Sequence, residues 1–279
     1  METRRDIVTD GLVVREYDLG EHDKMLTLLT PAYGRIPVIA KGARSLRNKY
    51  LSPTGLFIYA NYELHRRGDM TWLRSADVIE PFPQLEREIT RLYLAQYLVD
   101  LACELSGEGE PCVDILRLTL NSLYALCRGQ KDTRLIKGTF EWRAAGYSGY
   151  MPELGDCNIC GAHDARCKND DGVAYLDVMN GALVCVDCAA GRLRREAELP
   201  PNVIPTDGDG VRSLLLPLNM SVIAAIKYVL TALPERMFAF SLGRDEDLDR
   251  FSTVASTYIT HHLERGFASL DIYNEICDI

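Results

Sequence analysis

Four cysteines form two pairs of the same spacing, Cys157-x-x-Cys160 and Cys185-x-x-Cys188, and 24 residues separate the pairs. Two residues between thiols let a tight turn direct both sulfurs at one ion, and two such turns complete a tetrahedral shell. Gly161 suits the first turn because glycine accepts positive φ. Four thiolates leave no position for water, so we predict one structural Zn²⁺ held by these four residues.

Other interpretations of the cysteines stay open. A four-cysteine iron–sulfur cluster uses the same ligands, the spacing can arise by chance, and His163 and Cys167 inside the loop offer replacement ligands. A thioredoxin-like redox pair fits less well, because it needs a single Cys-x-x-Cys at a strand-to-helix turn. Disulfides are not expected of nine cysteines in a reducing compartment.

The expected reducing compartment is the cytoplasm, because the sequence shows neither a membrane-spanning segment nor a signal peptide. No run of 18 apolar residues is present, and the charged N-terminus, Met1 to Asp6, stands where a signal peptide needs apolar residues. We therefore expect a cytoplasmic protein with no membrane partner.

The elements that must position the cysteines fall into two classes. A length of 279 residues suggests two domains at about 150 residues each. Alternating β-branched and apolar residues before residue 80 predict five short strands, at 7–17, 25–30, 36–40, 56–64 and 71–78. Five strands in so short a stretch indicate a small barrel, for which the OB-fold is the five-stranded example. An SH3-like barrel would give nearly the same pattern.

Pro81-Phe82-Pro83 marks the end of the strands, since two prolines in three residues oppose a continuing strand or helix. Helical periodicity follows, with helices expected near 85–105, 112–128, 132–145, 219–233, 245–264 and 269–277. Two short strands around the turn Asn180-Gly181 return the second cysteine pair to the first. We predict an α+β protein, with an OB-fold at 1–80 and a helical domain at 81–279 that carries the zinc module at about 152–192.

The charge is unevenly distributed along the chain. The net charge of -9 first argues against a nucleic-acid partner. Residues 1–80, however, carry +1 and residues 81–279 carry -10, and the 39 residues from Lys24 to Tyr62 hold six cations and no acid. A concentrated basic surface on an acidic protein can still bind a polyanion, because the Debye length at physiological salt is only about 8 Å.

The basic residues surround a loop that follows the third strand. Gly42 allows close backbone approach, and lysine and arginine contact phosphates without reading sequence. OB-folds bind single strands with such a groove and with stacking aromatics. The candidate DNA-binding residues are Lys24, Arg35, Lys41, Arg44, Arg47 and Lys49, and the candidate aromatics are Tyr33, Tyr50, Phe57, Tyr59, Tyr62 and Trp72. The alternative is an ordinary solvated loop.

The chain carries none of the common catalytic motifs for phosphate loops, dinucleotide sites, zinc proteases or serine hydrolases. None of its five histidines has a catalytic partner at motif spacing. We therefore expect no enzyme activity.

An ordered set of motifs resembles the bacterial RecO family of DNA repair and recombination proteins. The set comprises Gly11-Leu12-Val13-Val14-Arg15-Glu16-Tyr17, Gly34-Arg35, Ala40-Lys41-Gly42-Ala43-Arg44, Phe140-Glu141-Trp142-Arg143, Gly146-Tyr147, Pro152-Glu153-Leu154 and Cys157-Asn158-Ile159-Cys160-Gly161. The resemblance implies a nucleoid-associated mediator that binds single- and double-stranded DNA, anneals complementary strands and loads RecA. It implies as partners RecR, the C-terminal tail of single-strand-binding protein, RecF and RecA. From the family motif Lys41, Arg44 and the four cysteines carry over, whereas Lys24, Arg35, Arg47 and Lys49 rest on charge clustering alone.

Two other functions remain as alternatives. A zinc-ribbon protein could regulate transcription or assemble a complex through protein contacts only, and would show no salt-dependent binding to oligonucleotides. An enzyme that uses the metal would need a water ligand on the zinc.

Overall fold

The computed structural model describes residues 5–45, 52–162, 173–198 and 213–277. Internal contacts divide the chain into two compact units, one of residues 1–131 with 267–279 and one of residues 132–266. The first unit thus joins three helices to the strands of the N-terminal region. The domain boundary near residue 80 stays a prediction, and the first unit extends past it to residue 131.

The first unit contains a closed barrel of five strands. The strands are β1 (Arg5–Leu19), β2 (Asp23–Thr30), β3 (Gly34–Ala40), β4 (Tyr59–Arg67) and β5 (Met70–Glu80). Their order around the barrel is β1-β2-β3-β5-β4, with β4 returning to β1. All neighbours are antiparallel except β3 and β5, which meet in parallel at Ile39 and Trp72. The OB-fold prediction is confirmed, and β1 and β5 run longer than the sequence predicted.

Strand alternation places one set of side chains inside the barrel. Leu26 and Leu28 of β2 pair with Val38 and Ile36 of β3, and all four are buried in one apolar cluster. Tyr62 also lies in this cluster. Residues between these positions face outward, where Pro37 is exposed but Leu29 and Ile39 are buried as well.

Three helices complete the first unit, after a short 3-10 turn at Pro83–Arg87. They are α1 (Ile89–Glu104), α2 (Val113–Arg128) and α7 (Ala268–Cys277). The last helix packs on α1, where the ring of Phe267 meets Tyr97 edge-on at 5.6 Å and Ser269 Oγ donates to Asp100 at 2.8 Å. No helix in the described ranges has both the length and the apolar character that a bilayer crossing requires.

The loop between α1 and α2 is bonded to the β2–β3 turn. Arg35 N donates to Gly107 O at 3.0 Å, Gly109 N donates to Tyr33 O at 2.9 Å, and Cys112 N to Pro31 O at 3.0 Å. These backbone bonds join two segments more than 70 residues apart, so the barrel and α2 are fixed to each other within the unit.

The second unit combines four helices with a small sheet. Its elements are α3 (Thr133–Tyr147), β6 (Val173–Asp177), β7 (Ala182–Cys185), α4 (Val186–Glu198), β8 (Leu215–Asn219), α5 (Met220–Thr231) and α6 (Asp245–His262). The sheet has the order β7-β6-β8, and the predicted hairpin turn is present with Gly181 at φ +62°. The sequence pattern predicted neither α4 nor β8.

The core of the second unit lies where α3 packs on α6. The rings of Trp142 and Tyr258 are 5.1 Å apart, and both side chains are buried. Beside them an ion pair is also buried, since Lys137 Nζ lies 3.3 Å from Glu141 Oε2 and both residues are at most 4 % exposed. The hydroxyl of Ser256 donates to Glu141 and accepts from Lys137, which completes the polar cluster.

Candidate nucleic-acid interface and metal centre

The four cysteines come from three local structures of the second unit. Cys157 and Cys160 lie on a turn that Gly161 closes at φ +68°, with Gly161 N donating to Cys157 O at 2.8 Å. Cys185 is the last residue of β7, and Cys188 lies in the first turn of α4. Only the first pair sits on the simple turn that its spacing suggested; the second lies at a strand-to-helix junction.

The sulfur positions fit a tetrahedral metal site. The four sulfur atoms lie within 4.8 Å of one another, and the Sγ atoms of Cys160 and Cys185 are 3.8 Å apart. Four thiolates at bonds of about 2.3 Å around one ion have sulfur–sulfur separations of about 3.8 Å. A disulfide would need about 2.05 Å instead. These four cysteines therefore form a cluster that could hold one metal ion of the kind that prefers thiolate ligands.

Backbone amides support the cluster electrostatically. Burial raises the pKa of Cys157, but amides that include those of Cys160 and Cys185 lower it to about 6. Burial and the neighbouring thiols of Cys185 and Cys160 raise the pKa of Cys188. The raised pKa of Cys188 reflects burial and thiols crowded together, and a bound cation would offset the repulsion between their thiolates. His163 and Cys167, the possible replacement ligands, lie outside the described residues.

The basic loop after β3 is fixed to the β1–β2 turn. Arg44 N donates to His22 O at 3.1 Å, and Arg44 Nη1 donates to Gly20 O at 2.7 Å. Gly42 N donates to Asp23 Oδ1 at 2.7 Å. The loop therefore lies against the turn that, in OB-folds generally, forms one edge of the ligand surface.

Carboxylates of β1 share this edge of the barrel with the cations. Lys24 Nζ lies 2.7 Å from Glu16 Oε2, and Arg44 Nη2 lies 3.1 Å from Asp18 Oδ2. The segment from Lys24 to Tyr62 contains no acidic residue, but in the folded barrel acidic residues of β1 lie beside its cations. Phosphates must compete with these carboxylates, although partly exposed pairs of this kind contribute only about 0–1 kcal/mol each.

The remaining predicted cations have different surroundings. Arg35 Nε donates to Ser106 O at 2.6 Å, which gives this residue a structural contact with the α1–α2 loop. Lys41 is exposed, and its Nζ lies over the ring of Trp72, 4.6 Å from the centroid. Arg47 and Lys49 lie outside the described residues, so their role stays a prediction.

The candidate aromatics separate by burial. Tyr62 and Phe57 are core residues, at 0 % and 4 % exposure. Trp72 and Tyr59 are partly exposed and Tyr33 is exposed, whereas Tyr50 lies outside the described residues. Of this set, Trp72 has a predicted DNA-binding cation over its ring.

Three arginines of the β4–β5 hairpin were not among the predicted DNA-binding residues. Arg66 and Arg67 end β4 and Arg74 lies on β5, and all three are exposed. They fall outside the acid-free stretch, so charge clustering did not select them. The signal was nevertheless present, because the strands predicted at 56–64 and 71–78 leave a short connection between them, and the β4–β5 loop is a common ligand loop of OB-folds.

Most of the chain matches family models of known proteins. The family model described as Recombination protein O N terminal matches residues 1–82, and the one described as Recombination protein O C terminal matches residues 86–205. A protein named DNA repair protein RecO from Syntrophus aciditrophicus is 27% identical over 278 residues, which is 99% of this chain and 98% of the relative. The protein of that name from Acetivibrio thermocellus is 26% identical over 94% of both chains. The one from Syntrophobacter fumaroxidans is 30% identical over 70% of this chain and 74% of the relative.

Proposed function

Because the chain belongs to the RecO family of DNA repair proteins, we propose that it is a recombination mediator that binds single- and double-stranded DNA. In this role it anneals complementary strands and helps load RecA together with RecR. The observation that carries the proposal is the basic loop of Lys41 and Arg44, held by hydrogen bonds against the β1–β2 turn of an OB-fold barrel.

The proposed activity needs no covalent chemistry. Phosphate repulsion opposes the approach of two strands, and a surface that neutralises phosphates lowers that barrier. Lys41 and Arg44 supply charge without base-specific contacts, which suits a protein that must anneal any sequence. We therefore propose a non-enzymatic protein of the cytoplasm that acts at the nucleoid.

The proposed protein partners follow from family membership. They are RecR, the C-terminal tail of single-strand-binding protein, RecF and RecA. The second unit has an acidic sequence, which favours binding of DNA at the barrel over coating of the whole surface.

We propose that the metal is Zn²⁺ and that it is structural. Zinc is the common ion for four thiolates in tetrahedral geometry, and such sites are closed to water. The ion would tie the turn at Cys157 to the junction of β7 and α4. It would stabilise the second unit and take no part in DNA chemistry.

A salt titration tests the DNA-binding proposal. If the barrel neutralises about five phosphates of a single strand, log K falls against log salt with a slope of about -3.5. The double variant Lys41→Ala/Arg44→Ala should flatten this to about -2, measured by fluorescence anisotropy with labelled oligonucleotides. The control Arg128→Ala/Lys131→Ala removes two exposed charges elsewhere in the same unit. Equal slopes for the two double variants would contradict the proposal.

A second variant should raise the affinity for DNA instead of lowering it. Asp18→Asn removes the carboxylate that pairs with Arg44, so the guanidinium becomes available to phosphate and affinity should rise about threefold at low salt. Asp271→Asn on α7 makes the same change in net charge and serves as the control. An equal rise in both would indicate only a general effect of charge.

A further inference from the structure

We propose that Trp72 is a base-stacking platform through which the barrel distinguishes single-stranded from double-stranded DNA. The inference rests on the proposed function and deepens it. It assigns the discrimination to one side chain, whereas the cations contribute affinity for any phosphate chain.

Trp72 lies in the middle of a row across the outer face of the barrel. It is the direct partner of Ile39 on β3 and of His65 on β4, and His65 is in turn the partner of Asp6 on β1. Residues in register on adjacent strands share a face. The indole therefore stands on the sheet surface, partly exposed, while Thr71 and Leu73 on either side of it are buried.

The contact with Lys41 shows what kind of ligand this surface accepts. An ammonium 4.6 Å from the ring centroid is a cation–π contact, held by the negative face of the ring. Lys41 is itself exposed and has a long flexible stem, so a base can take its place over the ring. The displaced ammonium of Lys41 then contacts the phosphate of the same nucleotide. Binding therefore replaces an exposed cation–π contact with a base stacked on Trp72 and an ion pair between Lys41 and the phosphate.

Cations lie on both sides of the platform. The loop of Lys41 and Arg44 follows β3, and Arg74 lies two residues beyond Trp72 on the same face of β5. The nearby carboxylate of Asp6 is already engaged, since His65 Nδ1 lies 2.8 Å from one oxygen and Arg74 Nη1 lies 3.1 Å from the other. The carboxylate of Asp6 therefore repels a phosphate of bound DNA less strongly than an unpaired carboxylate would.

Stacking on a tryptophan selects unpaired bases for a geometric reason. The faces of a base in a duplex are covered by its neighbours, whereas a single strand can turn a base out onto a ring. Phosphates are present in both forms, so Lys41 and Arg44 do not discriminate in this way. Loss of the indole should therefore affect single strands more than duplexes.

The protein carries its own optical probe for this contact. It has two tryptophans, and Trp142 is fully buried in the second unit. A base stacked on an indole quenches its fluorescence, so titration of the full chain with oligo(dT) should quench the fraction of emission that comes from Trp72. The Trp72→Phe variant should bind the same oligonucleotide with no quenching, which would assign the signal to Trp72.

Affinity measurements separate stacking from structure. Trp72→Leu should weaken binding of oligo(dT) about tenfold and binding of a duplex of equal length less than twofold, while Trp72→Phe should restore most of the single-strand affinity. Tyr124→Leu, which removes an exposed aromatic ring of α2 in the same unit, is the matched control and should change neither. Far-ultraviolet circular dichroism and thermal unfolding establish that each variant is folded.

The outcomes distinguish this inference from the proposal on which it rests. Strong oligo(dT) binding without quenching, or an equal loss of both DNA forms in Trp72→Leu, would overturn the stacking role and leave DNA binding by the barrel intact. Failure of the unmodified protein to bind either DNA form would instead overturn the proposed function.

Discussion

The carbonyl oxygen of Gly107 occupies the space that a Cβ on Gly34 would need. Gly34 lies at the start of β3 with φ +60°, and the same Cβ would also stand 2.7 Å from Glu110 O. The β2–β3 turn and the α1–α2 loop can thus approach closely only because Gly34 lacks a side chain. This close approach is what allows Arg35 N to reach Gly107 O.

We predict that Gly34→Ala destabilises the first unit by about 3 kcal/mol, because the new methyl group forces the loop away and the backbone is strained. Gly68→Ala is the control, since Gly68 has φ +60° but no atom within 4 Å of the added Cβ. It should cost only about 1 kcal/mol. Urea unfolding measures both, and equal losses would mean that backbone strain, not the close approach, dominates.

The buried pair of Lys137 and Glu141 leads to a second prediction. Lys137→Met leaves the carboxylate of Glu141 buried without its cation and should cost about 3–5 kcal/mol in the free energy of unfolding. The double variant Lys137→Met/Glu141→Leu removes both charges and should recover most of that loss. A double-mutant cycle measures the coupling, and additive losses would contradict a buried charge pair.

Metal content and stability should change together in cysteine variants. Cys185→Ser removes a buried ligand of the cluster, so bound metal should fall from one ion per chain toward zero and Tm should drop by about 10 °C. Elemental analysis and calorimetry on freshly reduced protein measure these quantities. Cys277→Ser, an exposed residue of α7, should change neither. A Cys185→Ser variant that retains its metal would exclude this ligand set.

Acid should weaken the ion pairs around Arg134. Hydrogen bonds from this guanidinium lower the pKa of Asp132 and of Asp245 below their ordinary value of 3.8. A lowered carboxyl pKa in the folded state adds stability above the ordinary pKa, and this stability is lost as the pH falls through the folded value. The stability difference between the unmodified protein and Arg134→Gln should therefore be constant near neutral pH and shrink below about pH 4.

Arg128→Gln provides the comparison for that measurement. Arg128 Nη2 donates to the hydroxyl of Tyr124 at 2.8 Å, so the partner of this guanidinium is a hydroxyl and not a carboxylate. The effect of Arg128→Gln on unfolding should stay level over the same pH values. A parallel decline for both variants would point to general acid destabilisation.

Much of the fold was accessible from the sequence because local signals coincide with structure. Alternation identified the barrel strands, and Asn180-Gly181 identified the hairpin. The metal site could be predicted because the Cys-x-x-Cys spacing of Cys157–Cys160 and Cys185–Cys188 is typical of zinc ligands. Helix α4 was missed because it begins directly after Cys185, with no loop to mark its start, and its apolar residues are mostly small. Strand β8 was missed because Pro217 interrupts its pattern.

What the sequence could not predict depends on contacts between distant residues. Nothing near Arg35 indicates that its side chain bonds to Ser106, 71 residues away. Likewise, Glu16 and Asp18 precede the acid-free stretch in the chain yet lie against its cations in the barrel. Linear charge clustering therefore located the basic loop but overstated its net positive field.

The return of α7 to the first unit has a consequence for biosynthesis. Phe267 and Ser269 make their contacts with Tyr97 and Asp100 only after the whole second unit has left the ribosome. At translation rates of about 5–20 residues per second, synthesis of α7 follows that of α1 by several seconds or more. During that interval the face of α1 that Phe267 and Ser269 cover in the folded protein stays open to solvent or to other chains.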